Sequence, residues 1–145
     1  MIQIRKIAPE KCYPIRQQVL WQHKNIDDCG IAIDDQKDAF HLGAYLNGEL
    51  VCIGSFFKQN HAKFSAPTQY RLRAMATLPN AQNKGLAKIL LEKSFTEMQL
   101  NKVDLLWCDA RKVAKGFYTK LGFVTKGDSY EIPIIGKHYL MYKKI

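Results

Sequence analysis

The dipeptide Asn47-Gly48, set between two runs of alternating apolar residues, is the feature that most narrows what this chain can become. Before it, Phe40, Leu42, Ala44 and Leu46 alternate with His41, Gly43 and Tyr45; after it, residues 50–57 return as a second extended run. Asn and Gly both tolerate the positive φ of a two-residue turn whose twist matches that of its flanking strands. An antiparallel hairpin over residues 40–57 follows, which commits the chain to a sheet with at least one antiparallel pair.

The remaining elements are read from periodicity. Ile2 and Ile4 alternate with Gln3 and Arg5 in a short first strand. Pro9 then opens a segment where Cys12, Ile15, Val19 and Trp21 have near-helical spacing, with Pro14 blurring its start. Residues 24–38 read as a polar loop or short irregular helix, and residues 58–68 as a polar connector. Tyr70, Leu72, Ala74 and Ala76 alternate with Arg71, Arg73, Met75 and Thr77 in a further strand that Pro79 ends. Leu86/Ala87, Leu90/Leu91, Phe95 and Met98 recur every four residues and predict a helix packed on the sheet. Residues 103–108 predict a strand, and Asp109 is the predicted N-cap of another helix. In that helix Val113, Phe117 and Leu121 share a stripe, Ala114 and Tyr118 lie beside it, and Gly122 suits the left-handed position past its end. Residues 123–125 and 138–143 predict two closing strands. The order β-α-β-β-β-α-β-α-β-β is a mixed α/β (α+β) sheet protein, with residues 1–145 expected to form a single domain.

Composition bounds the partners. Twenty-two basic residues against 13 acidic give +9, enough to attract nucleic acid, an anionic membrane surface or a polyanionic small molecule. The basic residues are dispersed and no RNP, zinc-finger or arginine-rich signature occurs, so no nucleic-acid partner is expected. Residues 1–8 alternate Ile with polar residues, and no apolar run approaches the ~20 residues of a membrane span, so a soluble, cytoplasmic protein without a membrane partner is expected. Cys12, Cys29, Cys52 and Cys108 lack C-x-x-C spacing and read as reduced, mostly buried thiols. His23, His41, His61 and His138 are equally scattered, so no metal is expected. Asp27, Asp28, Asp34, Asp35 and Asp38 crowd into one short stretch, either a lip that draws a cationic ligand or a solvated loop.

The unit that carries chemistry is the strand ending at Thr77, the loop 78–84 and the helix that follows. A helix N-terminus offers unpaired N–H groups and partial positive charge, and Gln82-Asn83-Lys84-Gly85-Leu86-Ala87 is built for close phosphate approach there. Gly85 has no Cβ to block a pyrophosphate, Ala87 is the next smallest residue, and Lys84 adds charge. There is no G-x-G-x-x-G for a dinucleotide and no Gly-Lys-Ser/Thr for a nucleoside triphosphate. As a bare pattern, one glycine before a helix fits an ordinary loop equally well.

The stretch from Ala74 to Ala87 resembles the acyl-CoA-binding segment of the GCN5-related N-acetyltransferase (GNAT) superfamily, whose Gln/Arg-x-x-Gly-x-Gly/Ala signature is matched by Gln82, Gly85 and Ala87. Downstream, Ala110-Arg111, Ala114 and Phe117-Tyr118-Thr119-Lys120-Leu121-Gly122-Phe123 resemble the superfamily's motif around a helical tyrosine. The resemblance implies the GNAT fold, with the strands on either side of the cofactor splayed apart. It implies that backbone groups of Met75, Ala76 and Thr77 pair with the pantetheine arm. It further implies that N–H groups across Gln82, Asn83, Lys84, Gly85, Leu86 and Ala87 hold the pyrophosphate of acetyl-CoA. Tyr118 takes the role of general acid toward the departing thiolate. Arg111 stands where the family often has Asn, and is assigned to the cofactor with that departure noted. The implied activity is transfer of an acetyl group from acetyl-CoA to a primary amine, by direct attack in a ternary complex. A non-catalytic acyl-CoA-binding module of the same fold is the alternative. No general base is identified; a water relayed to His138, His41 or Glu49 is one route. The acidic stretch points to a cationic acceptor, whereas Arg71 and Arg73 on one strand face point to an acidic one. The acceptor's identity is left open, as is a homodimer.

Overall fold

The computed structural model describes residues 1–145. Its eight strands are β1 (Ile2–Lys6), β2 (Phe40–Leu46), β3 (Glu49–Lys58), β4 (Gln69–Thr77), β5 (Leu105–Arg111), β6 (Val124–Thr125), β7 (Tyr130–Ile132) and β8 (Gly136–Lys144). They form one sheet in the order β1-β2-β3-β4-β5-β8-β6, with β7 also on β8. Only β4 and β5 are parallel neighbours. The Asn47-Gly48 turn forms as expected, with φ of 52° and 86°, and Phe40 pairs with Phe56 across the hairpin.

Helix α2 (Leu86–Leu100) buries Leu86, Leu90, Leu91, Ser94 and Met98. These side chains join Leu42, Phe56, Leu72, Leu106 and Met141 from the sheet in the largest core cluster, where burial of each large aliphatic contributes roughly 1.5–3 kcal/mol. The first helical segment is less regular than its spacing suggests. It runs as a 3₁₀ turn (Pro9–Cys12), one α turn, α1 (Tyr13–Ile15), and a π turn (Arg16–Leu20). Pro9 and Pro14 each remove a helix donor, and the π turn accompanies the burial of Arg16.

Two expectations need correction. Asp109 does not cap a helix: it lies inside β5, opposite Leu140 of β8. The following helix α3 (Lys115–Lys120) starts later, after a 3₁₀ turn (Lys112–Ala114). Consequently Val113 falls off the packed stripe and is 92% exposed, while Tyr118 is buried. Gly122 does take the left-handed conformation, at φ 95°. Strand β7 was not anticipated; its three residues pair with the start of β8 through Tyr130 and His138. All four cysteines are free and buried, as expected. No helix is long and apolar enough to cross a membrane.

Candidate active site

The site begins where the sheet comes apart. Gln69, Tyr70 and Arg71 of β4 pair with Leu105, Leu106 and Trp107 of β5, and the ladder stops there although both strands continue. The cause is local. Ser55 of β3 faces Arg73, but Ile53 faces Ala76, so β4 carries extra backbone opposite Gly54. Ala74 adopts φ 54° within this bulge, a conformation costly for a residue with a Cβ. Gly54 is what lets the bulge pack, because a Cβ there would approach the Met75 sulfur to 3.1 Å and Leu90 to 3.3 Å. Beyond Arg71 the β5-facing edge of β4 is left without a strand partner, and its backbone groups are available to a ligand.

A groove of about 680 Å³ opens along this edge. Met75, Ala76 and Thr77 form one wall, Gln82, Asn83, Gly85, Leu86 and Ala87 the end at α2, and Phe117 and Tyr118 the far wall. The end at α2 suits an anion. Asn83 and Gly85 both have positive φ, 62° and 76°, and alternation of this kind turns successive N–H groups toward a common point. Gly85 occupies the N-cap position and no side chain caps the helix, so the first-turn N–H groups keep their donor capacity and the helix dipole is uncompensated. Gln82 is tied back to the strand by donating Nε2–H to the Thr77 carbonyl at 3.3 Å. Lys84 is exposed beside the loop without lining the groove.

A smaller cleft of about 260 Å³ lies between the diverging strands, lined by Leu20, Trp21, Arg71, Arg73, Asp109 and Arg111 among others. Arg111 therefore faces this cleft and not the groove that holds the other residues assigned with it. Met75, Ala114 and Tyr118 line both cavities, so the two meet at the phenol. Tyr118 is held by edge-on contacts with Phe117 and Phe123, each at 5.2 Å between ring centroids. Burial, reinforced by the Cys108 and Cys52 thiols, pushes its pKa well above the ordinary phenol value, which keeps the hydroxyl protonated and a donor.

Within the cleft Asp109 is already engaged. It accepts from Arg71 Nη2 at 2.7 Å and from the Tyr130 hydroxyl, and Arg71 lies over the Trp107 ring at 4.8 Å. Asp109, Trp21 and Tyr130 were not singled out as functional from sequence; Asp109 was masked by its resemblance to a helix cap. Cys108 also borders the cleft, but burial and the neighbouring Asp109 charge push its pKa up, so no thiolate is available there.

The relay candidates lie elsewhere. His41 is buried between the Ser55 hydroxyl at 2.7 Å and the Asp34 carbonyl at 3.0 Å. His138 meets the Gly136 carbonyl at 2.8 Å, and Glu49 is exposed at the start of β3; none of the three lines either cavity. The acidic stretch divides in two. Asp27, Asp28, Asp35 and Asp38 are exposed, and none lines the cleft. Asp34 belongs to neither of the expected roles: it is buried and holds both terminal nitrogens of the buried Arg16 guanidinium at 2.8 and 2.9 Å.

Comparison with known proteins bears on the family and the fold. The family model for the acetyltransferase (GNAT) family matches residues 2–123. The uncharacterized N-acetyltransferase YitI of Bacillus subtilis (strain 168) is 34% identical over 145 residues, covering all of this chain and 97% of that protein. Among solved structures, Escherichia coli ElaA superposes with a TM-score of 0.77 at 18% identity, over 99% of each chain. A Lactobacillus plantarum protein described as a putative N-acetyltransferase superposes at 0.78 and 15% identity, over 99% of this chain and 97% of that one.

Proposed function

This chain belongs to the GNAT acetyltransferase family, and from that premise we propose that it transfers an acetyl group from acetyl-CoA to a primary amine by direct attack in a ternary complex. The observation that carries the reading is the junction at Tyr118: a long groove ending on an uncapped helix N-terminus meets a second cleft, lined in part by arginines and Asp109, at one buried tyrosine. Two cavities that join at a proton donor suit a reaction with two substrates, one in each.

In this reading the donor lies in the groove. Backbone N–H groups of Gln82, Asn83, Lys84, Gly85, Leu86 and Ala87 bind the pyrophosphate, and the free edge at Met75, Ala76 and Thr77 pairs with the pantetheine amides. A backbone N–H in that same stretch of β4 polarises the thioester carbonyl as negative charge develops on its oxygen. The neutral amine enters from the cleft, its lone pair forms the C–N bond, and the C–S bond breaks. Tyr118 delivers its proton to the departing sulfur, and the proton lost by the nitrogen restores the phenol through solvent, so that amide and free thiol are the products. Cys108 borders the cleft with its thiol kept protonated, which favours direct attack over an acetyl-cysteine intermediate. Arg111 acts on the cleft side, away from the pyrophosphate.

Calorimetric titration with acetyl-CoA, followed by a panel of primary amines with the N-acetyl product identified by mass spectrometry, tests the reading. Saturable binding and product from at least one amine are expected. Binding without product from any amine would replace the enzyme with a non-catalytic acyl-CoA-binding module.

A further inference from the structure

Three arginines reach the polar core of this protein from the cleft side or beneath it, and they differ in what they hold. Arg16 is fully buried and bidentate to Asp34. Arg71 is paired with Asp109. Arg73 is partly buried, and it has neither a carboxylate partner nor a side-chain hydrogen bond. It lines the cleft at the strand parting and also an adjoining hollow formed by Trp21, Lys24, Gly30 and Ile33. The charge there is one-sided. The cleft wall carries three guanidiniums, of Arg71, Arg73 and Arg111, against the single carboxylate of Asp109, which Arg71 and Tyr130 already occupy. Burial, with the charges of Arg71 and Arg16, lowers the Arg73 pKa from its usual value, as expected of a cation held without a counter-ion.

We propose that Arg73 binds the carboxylate of the acceptor, so that the acceptor is a small amino acid and not a polyamine or other purely cationic amine. The inference rests on the acetyltransferase reading of the same site. Its geometry is set by β4. Arg73 lies two residues before Met75, which lines both cavities, with the bulge at Ala74 between them. Arg73, Met75 and Tyr118 line the same small cleft, so an acceptor whose carboxylate and amine lie a few bonds apart, as in α-, β- and γ-amino acids, can set the carboxylate at Arg73 and the amine toward the junction. A planar guanidinium offers paired donors that match a carboxylate. The exposed acids of the 27–38 stretch do not line the cleft, and the one carboxylate that does, Asp109, is engaged by Arg71 and Tyr130.

The test compares amino acids with their carboxamides. The standard L-amino acids, β-alanine and γ-aminobutyrate are assayed beside the matching amides, with the N-acetyl product measured by mass spectrometry. At least one free amino acid should exceed its amide in kcat/KM by about tenfold or more, the scale of one charge-assisted hydrogen-bond pair. Arg73→Gln should erase that preference, Arg73→Lys should keep part of it, and acetyl-CoA affinity by calorimetry should be unchanged in both. Equal use of amides, a preference that survives Arg73→Gln, or no product from any member despite normal acetyl-CoA binding would each overturn the inference and leave the donor site standing. Failure of wild-type protein to bind acetyl-CoA would instead overturn the acetyltransferase reading, and this inference with it.

Discussion

The two cavities that meet at Tyr118 are built in opposite ways. The groove proposed for the donor has an end made of backbone, with a bare strand edge, two positive-φ residues and an uncapped helix end within residues 75–87, faced by a wall that includes Phe117 and Tyr118. The acceptor cleft is made of side chains from the first helical segment, β4, β5 and the turn after it. A backbone site of this kind requires only small residues at a few positions. A side-chain site requires that distant elements be held in register, here partly by a buried ion pair beneath the cleft. The first therefore constrains short sequence patterns, and the second is free to change its chemistry without changing the fold.

The phenol shared by both cavities is where the largest effect is expected. Tyr118→Phe keeps the ring contacts with Phe117 and Phe123 and removes the proton. Turnover should fall by roughly 10²–10⁴-fold with acetyl-CoA affinity nearly unchanged, because the lost interaction operates in the transition state. Single-turnover kinetics beside calorimetry check this. A folded variant that turns over within about twofold of wild type would assign the proton to water or to the acceptor.

The next effect belongs to the cleft side alone. Arg16 and Asp34 are both buried, and Arg16 also donates to the Cys29 carbonyl and the Ser55 hydroxyl at 2.9 Å each. It thereby ties the π turn, which carries Leu20 and leads into Trp21, to the loop and to β3. Asp34→Asn leaves that guanidinium unneutralised and should cost about 3–5 kcal/mol in chemical denaturation. Burial raises the Asp34 pKa, but hydrogen bonds from Arg16 and the Ile31 N–H, with the charges of Arg16 and His41, outweigh it, and the net pKa is lowered. The folded pKa lies below the unfolded one of about 3.9. The stabilisation is therefore complete above that value and is lost as pH falls through the folded pKa. Wild type should lose stability below about pH 4 more steeply than Asp34→Asn, as read from midpoints at several pH values.

What could be seen in the sequence follows the same division. The hairpin at Asn47-Gly48 and the stripe on α2 are local patterns, and each forms as read; the turn at Gly85 into α2 is equally local. Asp109 was misread because the rule for caps is also local: an aspartate after an apolar strand satisfies it, and only the pairing of β5 with β8 carries the strand through to Arg111. Arg111 is assigned to the donor by its place in a motif, yet it lines the smaller cleft and not the groove, a placement that depends on the three-dimensional divergence of β4 and β5. The Arg16–Asp34 pair spans eighteen positions and two irregular segments, and no periodicity announces it. Strand β7 has three residues and exists only because β8 offers it an edge.

A smaller effect, confined to the donor groove, is expected from Gly85→Val. Open space surrounds Gly85, but its φ of 76° is unfavourable to a β-branched residue, and the added methyl groups project where a pyrophosphate would rest. Acetyl-CoA affinity should drop by about tenfold or more, the scale of 1–2 kcal/mol at a helix N-terminus. Acceptor KM at saturating donor should be unchanged, and thermal denaturation of the unliganded variant separates backbone strain from blocked binding. Unchanged donor affinity would remove residues 82–87 from the phosphate site.

The smallest effect is an expected constancy, and it discriminates between the cavities through the phenol at their junction. A general acid is active only when protonated, so a rate that depends on Tyr118 falls as pH rises through its pKa. Burial and the neighbouring thiols place that pKa well above 10. The kcat profile should therefore show no alkaline limb from Tyr118 up to about pH 10, whereas kcat/KM should still rise with pH as the free acceptor's ammonium loses its proton. Measuring both parameters on one acceptor between about pH 6 and 10 makes the distinction. An alkaline fall in kcat near pH 8–9 that disappears in Tyr118→Phe would mean that the phenol titrates within reach of solvent. In that case the buried junction between groove and cleft would be open to water during turnover.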